Sequence, residues 1–281
     1  MIKMITDSTS YIPEELLKLY DIEVIPLSVI LGEESIVETE ITNEEFYKKL
    51  DASPHHPTSS QPAIQTMLDV FEKHIKAGHD IAACFISSKM SGTYSTAHLV
   101  KGMLLEKYPN ARIEIIDSES NSMQLGFAVL AAAKAAKAGK DMQAVVEAAN
   151  ENIRKSRYLF IPKTMDYLQR SGRLSHAAAI AASLLKIFPI LTVKNGVADV
   201  FEKIRTYKKA MDTMIDEAVQ DIKSKGIKEM IVVHINNLEG ALQLKERLAQ
   251  FIQVDIRIGS IGPVIGAHVG PGALGMIYYT N

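Results

Sequence analysis

The sequence has one cysteine and no long apolar run, and each absence excludes a class of structure. The single thiol, Cys84, rules out an internal disulfide and a cysteine-based metal site. It lies in the apolar run 81–86, which predicts a buried, unreactive thiol. No segment approaches the ~20 consecutive apolar residues of a membrane span, and the first residues do not resemble a signal peptide. We therefore expect a soluble, cytoplasmic protein.

The sequence also lacks an excess of either charge and the common catalytic motifs. Its formal net charge of −2 argues against a nucleic-acid partner. It has no phosphate-binding P-loop, no glycine-rich dinucleotide motif after the first strand and no His-Glu-x-x-His zinc motif. His55 and His56 are adjacent, so they lack the spacing of metal ligands on a helix. We therefore expect no metal and no cofactor.

The composition is that of a globular protein, with 47% hydrophobic and 23% charged residues. In the first half, segments that predict helices alternate with apolar segments that predict strands, at 1–6, 22–31, 80–87 and 112–116. This order predicts a mostly parallel sheet with helices on both faces. A capping box of Thr42 and Glu45 predicts the start of one helix.

In the second half, Asn195-Gly196 between two apolar runs predicts a β-hairpin, so this sheet is expected to be mixed or antiparallel. A nearly all-apolar helix is predicted over Ala177–Leu185, either buried or facing an apolar cavity. The predicted fold class is α/β with two α/β domains, because 281 residues exceed the usual size of one domain. We place the domains at 1–160 and 161–281, and leave open which of them holds the last strand, 276–280.

The segment 260–273 contains His268 among four glycines and two prolines. That composition disfavours both a helix and a core strand. Glycine permits positive φ and the close approach of a backbone to a ligand. We therefore expect a shaped, non-helical backbone that holds His268 against a ligand.

Loops rich in serine and threonine end predicted strands or open predicted helices, at 7–10, 58–62, 87–93 and 117–118. Ligands of open α/β sheets bind beyond the carboxyl ends of the strands, and hydroxyls with helix N-terminal amides suit an anion. The alternative is that these hydroxyls only cap helices. That alternative is weakest for Ser91, whose loop holds several hydroxyls beside a glycine.

Two functional classes fit these residues taken by themselves. A hydrolase or acyltransferase would pair Ser91 with His268 as its base, and Asp7 or Asp117 would orient the histidine. A binding protein for a phosphorylated small molecule would use the same hydroxyls and helix amides. The sequence does not show that these groups meet.

A resemblance to a known family favours a third class. The chain resembles the DegV family along nearly its whole length, in the ordered motifs Asp7–Ser10, Thr58–Pro62, Met90–Tyr94, Asp117-Ser118, Tyr167–Leu174 and Gly262–Gly272. The resemblance implies two α/β domains with a long-chain fatty acid in the cleft between them. Several members act as FakB, the fatty-acid-binding subunit of bacterial fatty acid kinase.

On this resemblance the chain is a bacterial lipid-binding subunit and not a complete enzyme. The implied ligand is a long-chain fatty acid such as palmitate, stearate or oleate. The implied partner is a FakA-like kinase, which uses ATP to phosphorylate the bound carboxylate to an acyl phosphate for phospholipid synthesis. A transient contact with a membrane surface is also expected, and no nucleic acid.

The resemblance also assigns residues. The family's carboxylate-binding serine, threonine and histidine match Ser91, Ser59 and His268, with Thr58 as a substitute because Ser59 lacks the threonine methyl group. Further head-group positions are expected at Gly92, Thr93, Arg205, Gly266 and Ala267. Arg173 follows a pattern associated with docking of the kinase, although serine stands where the family has the first of two glycines.

Overall fold

The computed structural model describes residues 1–175 and 187–281, which form three β-sheets with helices packed on them. The helix predicted over Ala177–Leu185 lies outside the described residues. The strands, in chain order, are β1 (Ile2–Asp7), β2 (Ile22–Ile25), β3 (Ser28–Leu31), β4 (Glu34–Val37), β5 (Thr58–Ser60), β6 (Asp80–Phe85), β7 (Ile113–Asp117), β8 (Ser156–Ile161), β9 (Phe188–Lys194), β10 (Val197–Ile204), β11 (Glu229–His234), β12 (Ile256–Ser260) and β13 (Leu274–Tyr279). The described α-helices are α1 (Glu14–Leu19), α2 (Asn43–Ala52), α3 (Ile64–Lys76), α4 (Thr93–Lys107), α5 (Ser122–Lys137), α6 (Met142–Lys155), α7 (Asp166–Ser171), α8 (Tyr207–Lys225), α9 (Leu238–Ala249) and α10 (Pro263–Val269).

The first sheet is fully parallel, with the strand order β2-β1-β6-β7, which confirms the predicted arrangement. Successive strand residues face opposite sides of the sheet. Ile5 therefore packs in one core with α3 and α4, while Met4 and Cys84 pack in another with α5 and α6. Helices thus cover both faces, as is usual for a parallel sheet.

The second sheet is mixed, with the order β10-β9-β8-β13-β11-β12, in which only β11 and β12 run parallel. Asn195 and Gly196 form the predicted hairpin turn, with φ of 52° and 79°. The last strand, left unassigned from the sequence, is β13 and lies between β8 and β11. Because β8 lies wholly in this sheet and follows α6 directly, the chain changes sheets at Ser156, before the predicted division between residues 160 and 161.

The third sheet is small and antiparallel, with the order β4-β3-β5. It arises because the single strand predicted over 22–31 is in fact two strands in different sheets. Pro26 has no N–H group to donate to a ladder, so β2 ends at Ile25 and β3 begins at Ser28. The Leu27 amide between them donates to Ser8 Oγ at 3.0 Å, which holds the third sheet against the first.

The glycine-rich segment forms a helix, so the prediction of a non-helical backbone is wrong. Pro263 occupies the start of α10, where its fixed φ and missing N–H do no harm. Gly270, with a φ of 87°, follows the last residue of the helix. The helix is buried over most of its length, and tertiary packing overrides the poor propensity of glycine. Gly266 brings its backbone directly against the ring of Tyr47.

Gly266 and Gly102 form a matched pair that tests this packing. An added Cβ at Gly266 would overlap the Tyr47 hydroxyl, whereas one at Gly102 in α4 meets no atom within 4 Å. We expect Gly266→Ala to lower the free energy of unfolding by about 1–3 kcal/mol through overpacking. Gly102→Ala should raise it by about 0.5–1 kcal/mol, because alanine is the better helix former. Denaturant unfolding measures both changes, and equal effects would contradict the close approach of α10 to Tyr47.

Candidate functional site

A cavity lies between the three sheets and α10. Its polar side chains are those of Ser59, Ser91, Asn121, Arg173 and His268. The rest of its wall is apolar or aromatic and comes from Leu27, Ile86, Met90, Tyr158, Phe160, Leu168, Val193, Ala198, Val264, Ile265 and Val269. Small-molecule sites usually have this character, with a few polar groups in an apolar wall.

The polar end of the cavity is organised by a hydrogen bond of 2.7 Å between Ser59 Oγ and His268 Nε2. Ser59 lies in β5 and His268 lies in the last turn of α10. The packing of α10 against β5 brings the two side chains together. Because side chains alternate along a strand, Thr58 is exposed and is absent from the cavity wall. This corrects the expectation that Thr58 substitutes for Ser59.

His268 is neutral at pH 7. Burial, together with the positive charges of Arg173 and His56, lowers the pKa of its imidazole from 6.5 to about 4. Its Nδ1 is buried and has no hydrogen-bond partner among the described residues. The ring can therefore exchange one hydrogen bond with Ser59 while the other nitrogen stays unpaired.

Ser91 lies in the loop between β6 and α4, which is shaped by the two residues after it. Its Oγ lies 2.9 Å from Thr93 Oγ1 and accepts a hydrogen bond from the Thr93 amide at 3.3 Å. An added Cβ at Gly92 would overlap the Gln61 side chain, which itself donates to Thr96 in α4. Ser91 therefore lines the cavity, whereas Gly92 and Thr93 support the loop behind it.

Two further predicted site residues support α10 and do not line the cavity. Gly266 faces Tyr47, and Ala267 is fully buried. The cavity side of the helix is instead formed by Val264, Ile265 and His268, with Val269. This corrects the expected placement of Gly266 and Ala267 at the head group.

Arg173, expected to serve in docking, lies in the cavity wall close to His268. Its Nε donates to the Met90 carbonyl at 3.3 Å and its Nη1 to the Ser171 carbonyl, while much of the side chain stays exposed. Gly172, with a φ of 68°, ends α7 and turns the chain toward this position. Serine is accommodated at 171 because that residue lies inside the helix.

Arg205 does not reach the cavity, which corrects its expected placement near the head group. It is exposed and follows the end of β10, where Ile204 pairs with Phe188. The cavity contacts the opposite end of the hairpin, where Ala198 pairs with Val193. Arg205 is seven residues beyond Ala198 along the chain, a distance of roughly 20 Å in an extended strand.

The part of the wall that comes from β8 and the hairpin was not predicted from the sequence. Tyr158 and Phe160 alternate on one face of β8, with ring centroids 4.9 Å apart. Residues two positions apart in a strand share a face, so the sequence places Tyr158 and Phe160 together. It does not tell which face of the strand borders a cavity. At the hairpin tip, Ser87 Oγ donates to the Gly196 carbonyl at 2.6 Å and Lys89 Nζ to the Asn195 carbonyl at 2.8 Å.

The arrangement differs from that of the serine hydrolase considered above. Ser91 bonds to Thr93, and it is Ser59 that contacts His268. Asp7 accepts from Thr9 and from the Ile86 amide, and Asp117 accepts from the amides of Ser88 and Glu119. In the part of the chain that the structure describes, no carboxylate orients the imidazole.

Residues 1–175 and 187–281 contain neither a group of metal ligands nor a membrane-spanning helix. Within these ranges no three histidine, cysteine, aspartate or glutamate side chains are grouped as metal ligands. No helix in these ranges is both long enough and apolar enough to span a membrane.

Known proteins are similar to this chain over its full length. A family model described as "Uncharacterised protein, DegV family" matches residues 1–281. The chain belongs to the DegV family. It is 47% identical over 280 residues to a DegV domain-containing protein of Clostridium acetobutylicum, and the match covers 100% of this chain and 98% of that relative.

Solved members of the DegV family share the fold. DegV of Bacillus subtilis, described as a fatty acid binding protein, superimposes with a TM-score of 0.89 at 34% identity, over 100% of this chain and 99% of that one. A fatty acid binding DegV family protein of Streptococcus agalactiae gives a TM-score of 0.92 at 28% identity, again over 100% and 99%. These likenesses confirm the predicted family and the α/β fold.

The buried, neutral state of His268 predicts a pH dependence of stability. Its pKa is about 4 in the folded chain, against an ordinary value of 6.5, so the unfolded chain binds more protons between these two values. Stability is therefore lost as the pH falls through this window. Between about pH 7.5 and about pH 5.5, we expect the unmodified protein to lose about 1 kcal/mol more unfolding free energy than His268→Gln. Denaturant unfolding checks this, and equal losses would contradict a desolvated imidazole.

Proposed function

We propose that this protein binds a long-chain fatty acid in the cavity, with the carboxylate at Ser59, Ser91 and His268. The observation that carries the proposal is the Ser59–His268 hydrogen bond at the polar end of an otherwise apolar cavity. The fatty acid binding described for the Bacillus subtilis and Streptococcus agalactiae relatives supports it. The expected ligands are palmitate, stearate and oleate.

The head of the ligand meets neutral donors and one exposed cation. With the His268 Nε2–H donating to Ser59 Oγ, the two serine hydroxyls donate to the carboxylate, and a hydrogen bond to an ionised acceptor is about twice as strong as one between neutral groups. The Arg173 guanidinium supplies positive charge at the same end of the cavity. A bound carboxylate would also raise the pKa of His268, because it offsets the desolvation that lowers it.

The tail of the ligand lies along the apolar wall. Leu27 precedes β3, Ile86 follows β6 and Phe160 lies in β8, so the ligand tail is enclosed from several sides. Burial of each methylene contributes about 0.8 kcal/mol before the cost of ordering the chain is subtracted. Affinity therefore comes mainly from the tail, while the head fixes which end of the molecule faces Arg173.

The proposal extends to a partner. A separate FakA-like kinase would use ATP to phosphorylate the bound carboxylate, and this chain would present it as the binding subunit. Arg173 is placed to contribute, because it is exposed and lies beside the polar end of the cavity. The chain itself would then supply binding and orientation but not the complete reaction.

Ser59→Ala and Thr58→Ala are matched variants for the binding proposal. Protein denatured after purification is expected to release a stoichiometric long-chain fatty acid, detected by mass spectrometry. For delipidated protein, we expect Ser59→Ala to weaken oleate binding about 10- to 100-fold, because one hydrogen bond to a charged group is lost. Thr58→Ala should leave the affinity unchanged, since that side chain is exposed and outside the cavity wall.

Other results would point to the other functional classes. An empty extract, from protein that also takes up no added oleate or palmitate, would contradict fatty acid binding. Turnover of an ester that is lost in Ser59→Ala or Ser91→Ala would favour a hydrolase. A phosphorylated molecule without an alkyl chain in the extract would favour the phosphate-binding alternative.

The kinase extension is tested by reconstitution. The purified chain with oleate and ATP should form no acyl phosphate, whereas addition of a FakA-like kinase from the same organism should produce one that hydroxylamine traps. With oleate in enough excess to saturate both proteins, we expect Arg173→Ala to slow this reaction at least about tenfold. Arg154→Ala is the control, since Arg154 is an exposed arginine of α6 paired with Glu147. Acyl phosphate formed by the chain alone would contradict the need for a partner.

A further inference from the structure

The first turn of α10 is held by side chains from the first half of the chain. The Val264 amide donates to Glu38 Oε1 at 2.9 Å, and the Ile265 amide donates to the Tyr11 hydroxyl at 3.3 Å. Tyr11 in turn donates to the same Glu38 oxygen at 2.9 Å. Because Pro263 has no N–H group, these two contacts complete the otherwise unpaired amides at the start of the helix.

Glu38 is an unusual residue for this position, because it is 6% exposed and its hydrogen-bond donors are neutral. Among the described residues, its second carboxyl oxygen is buried and has no hydrogen-bond partner. Burial raises the pKa of this carboxyl, and Asp7 nearby raises it further. Burial of a carboxyl costs free energy unless the carboxyl is well hydrogen-bonded. Here the hydrogen bonds come from α10 and from Tyr11, which itself binds α10.

The backbone at Gly262, at the start of α10, packs directly against the Glu38 carboxyl. An added Cβ at Gly262 would lie 2.7 Å from Glu38 Oε1 and 2.7 Å from Tyr11 Cε1. Real Cβ contacts are longer than this, so only glycine fits between the carboxyl and the helix start. The position of the first turn is therefore fixed by direct packing as well as by hydrogen bonds.

The third sheet holds both ends of α10. Glu38 follows β4 directly, and Ser59 lies in β5, while Val29 of β3 pairs with Ile36 on one side and Ser59 on the other. Val264, which binds Glu38, and His268, which binds Ser59, are four residues apart, or roughly 6 Å along the helix. A rigid three-stranded sheet thus sets the helix at its start and at its end.

We propose that Glu38 is a positioning residue for the head-group site. By binding the first turn of α10, it sets the place of His268 relative to Ser59 and to the ligand carboxylate. It touches no ligand itself, since Val264 and the helix lie between. This inference rests on the proposed function for its ligand, but its geometry is a property of the protein without ligand.

The test compares oleate with oleyl alcohol, which has the same tail and no carboxylate. Glu38→Ala should lower the preference for the acid over the alcohol about tenfold, because His268 is displaced, and should change the alcohol affinity little. Glu38→Gln keeps an oxygen acceptor for the Val264 amide and should recover most of the preference. Glu72→Ala is the control, since Glu72 is an ion-paired acid of α3 outside the cavity wall.

A second measurement needs no ligand. In the NMR spectrum of the ligand-free protein, the His268 imidazole signals should shift in Glu38→Ala, should shift less in Tyr11→Phe, and should stay in place in Glu72→Ala. The effects of Glu38→Ala and Ser59→Ala on these signals should not add, because both residues act on one helix.

The outcomes separate the two proposals. Equal weakening of acid and alcohol by Glu38→Ala would overturn the inference, because it would mean a general loss of structure. Unchanged His268 signals in folded Glu38→Ala or Tyr11→Phe would also overturn it. If the unmodified protein binds no fatty acid, the proposed function fails, and the imidazole signals alone decide whether Glu38 positions His268.

Discussion

The hydrogen bond between Ser59 and His268 is the contact on which the cavity depends, since it joins residues 209 positions apart. It ties the third sheet to α10. The chain beyond α10 is tied in turn to the second sheet by the Gly272 amide, which donates to the Ile235 carbonyl at 2.7 Å. Contacts at the polar end of the cavity therefore also fix the position of the third sheet relative to the second. Binding chemistry and tertiary structure use the same few side chains.

The charges around the site are arranged to tolerate an anion without a buried cation. His268 is kept neutral by burial, and Arg173 holds its charge at the exposed end. Beneath α10, burial raises the pKa of Asp7 to about 6 and also raises that of Glu38. Both carboxyls thus favour the uncharged form more than ordinary acids do.

Local patterns in the sequence predicted the local structure well. The capping box at Thr42 and the hairpin turn at Asn195 depend only on neighbouring residues, and both are present. The helix α10 was missed because its stability comes from burial against groups that are distant in the sequence. The resemblance to the family correctly predicted that Ser59, Ser91 and His268 line one cavity. It did not predict that Thr58 points away from the cavity, on the other face of its strand, or that Arg205 lies at the far end of β10. No local pattern reveals Glu38, because its partners Tyr11 and Val264 lie 27 and 226 residues away in the sequence.

The position of β13 in the second sheet has a consequence for synthesis of the protein on the ribosome. This strand, Leu274–Tyr279, lies between β8 and β11, so the middle of the sheet stays open until these residues emerge. The parallel sheet uses only residues up to Asp117 and can assemble much earlier. A nascent chain therefore carries a folded first half beside two exposed strand edges. Any hydrophobic cargo can be enclosed only after translation has passed this strand.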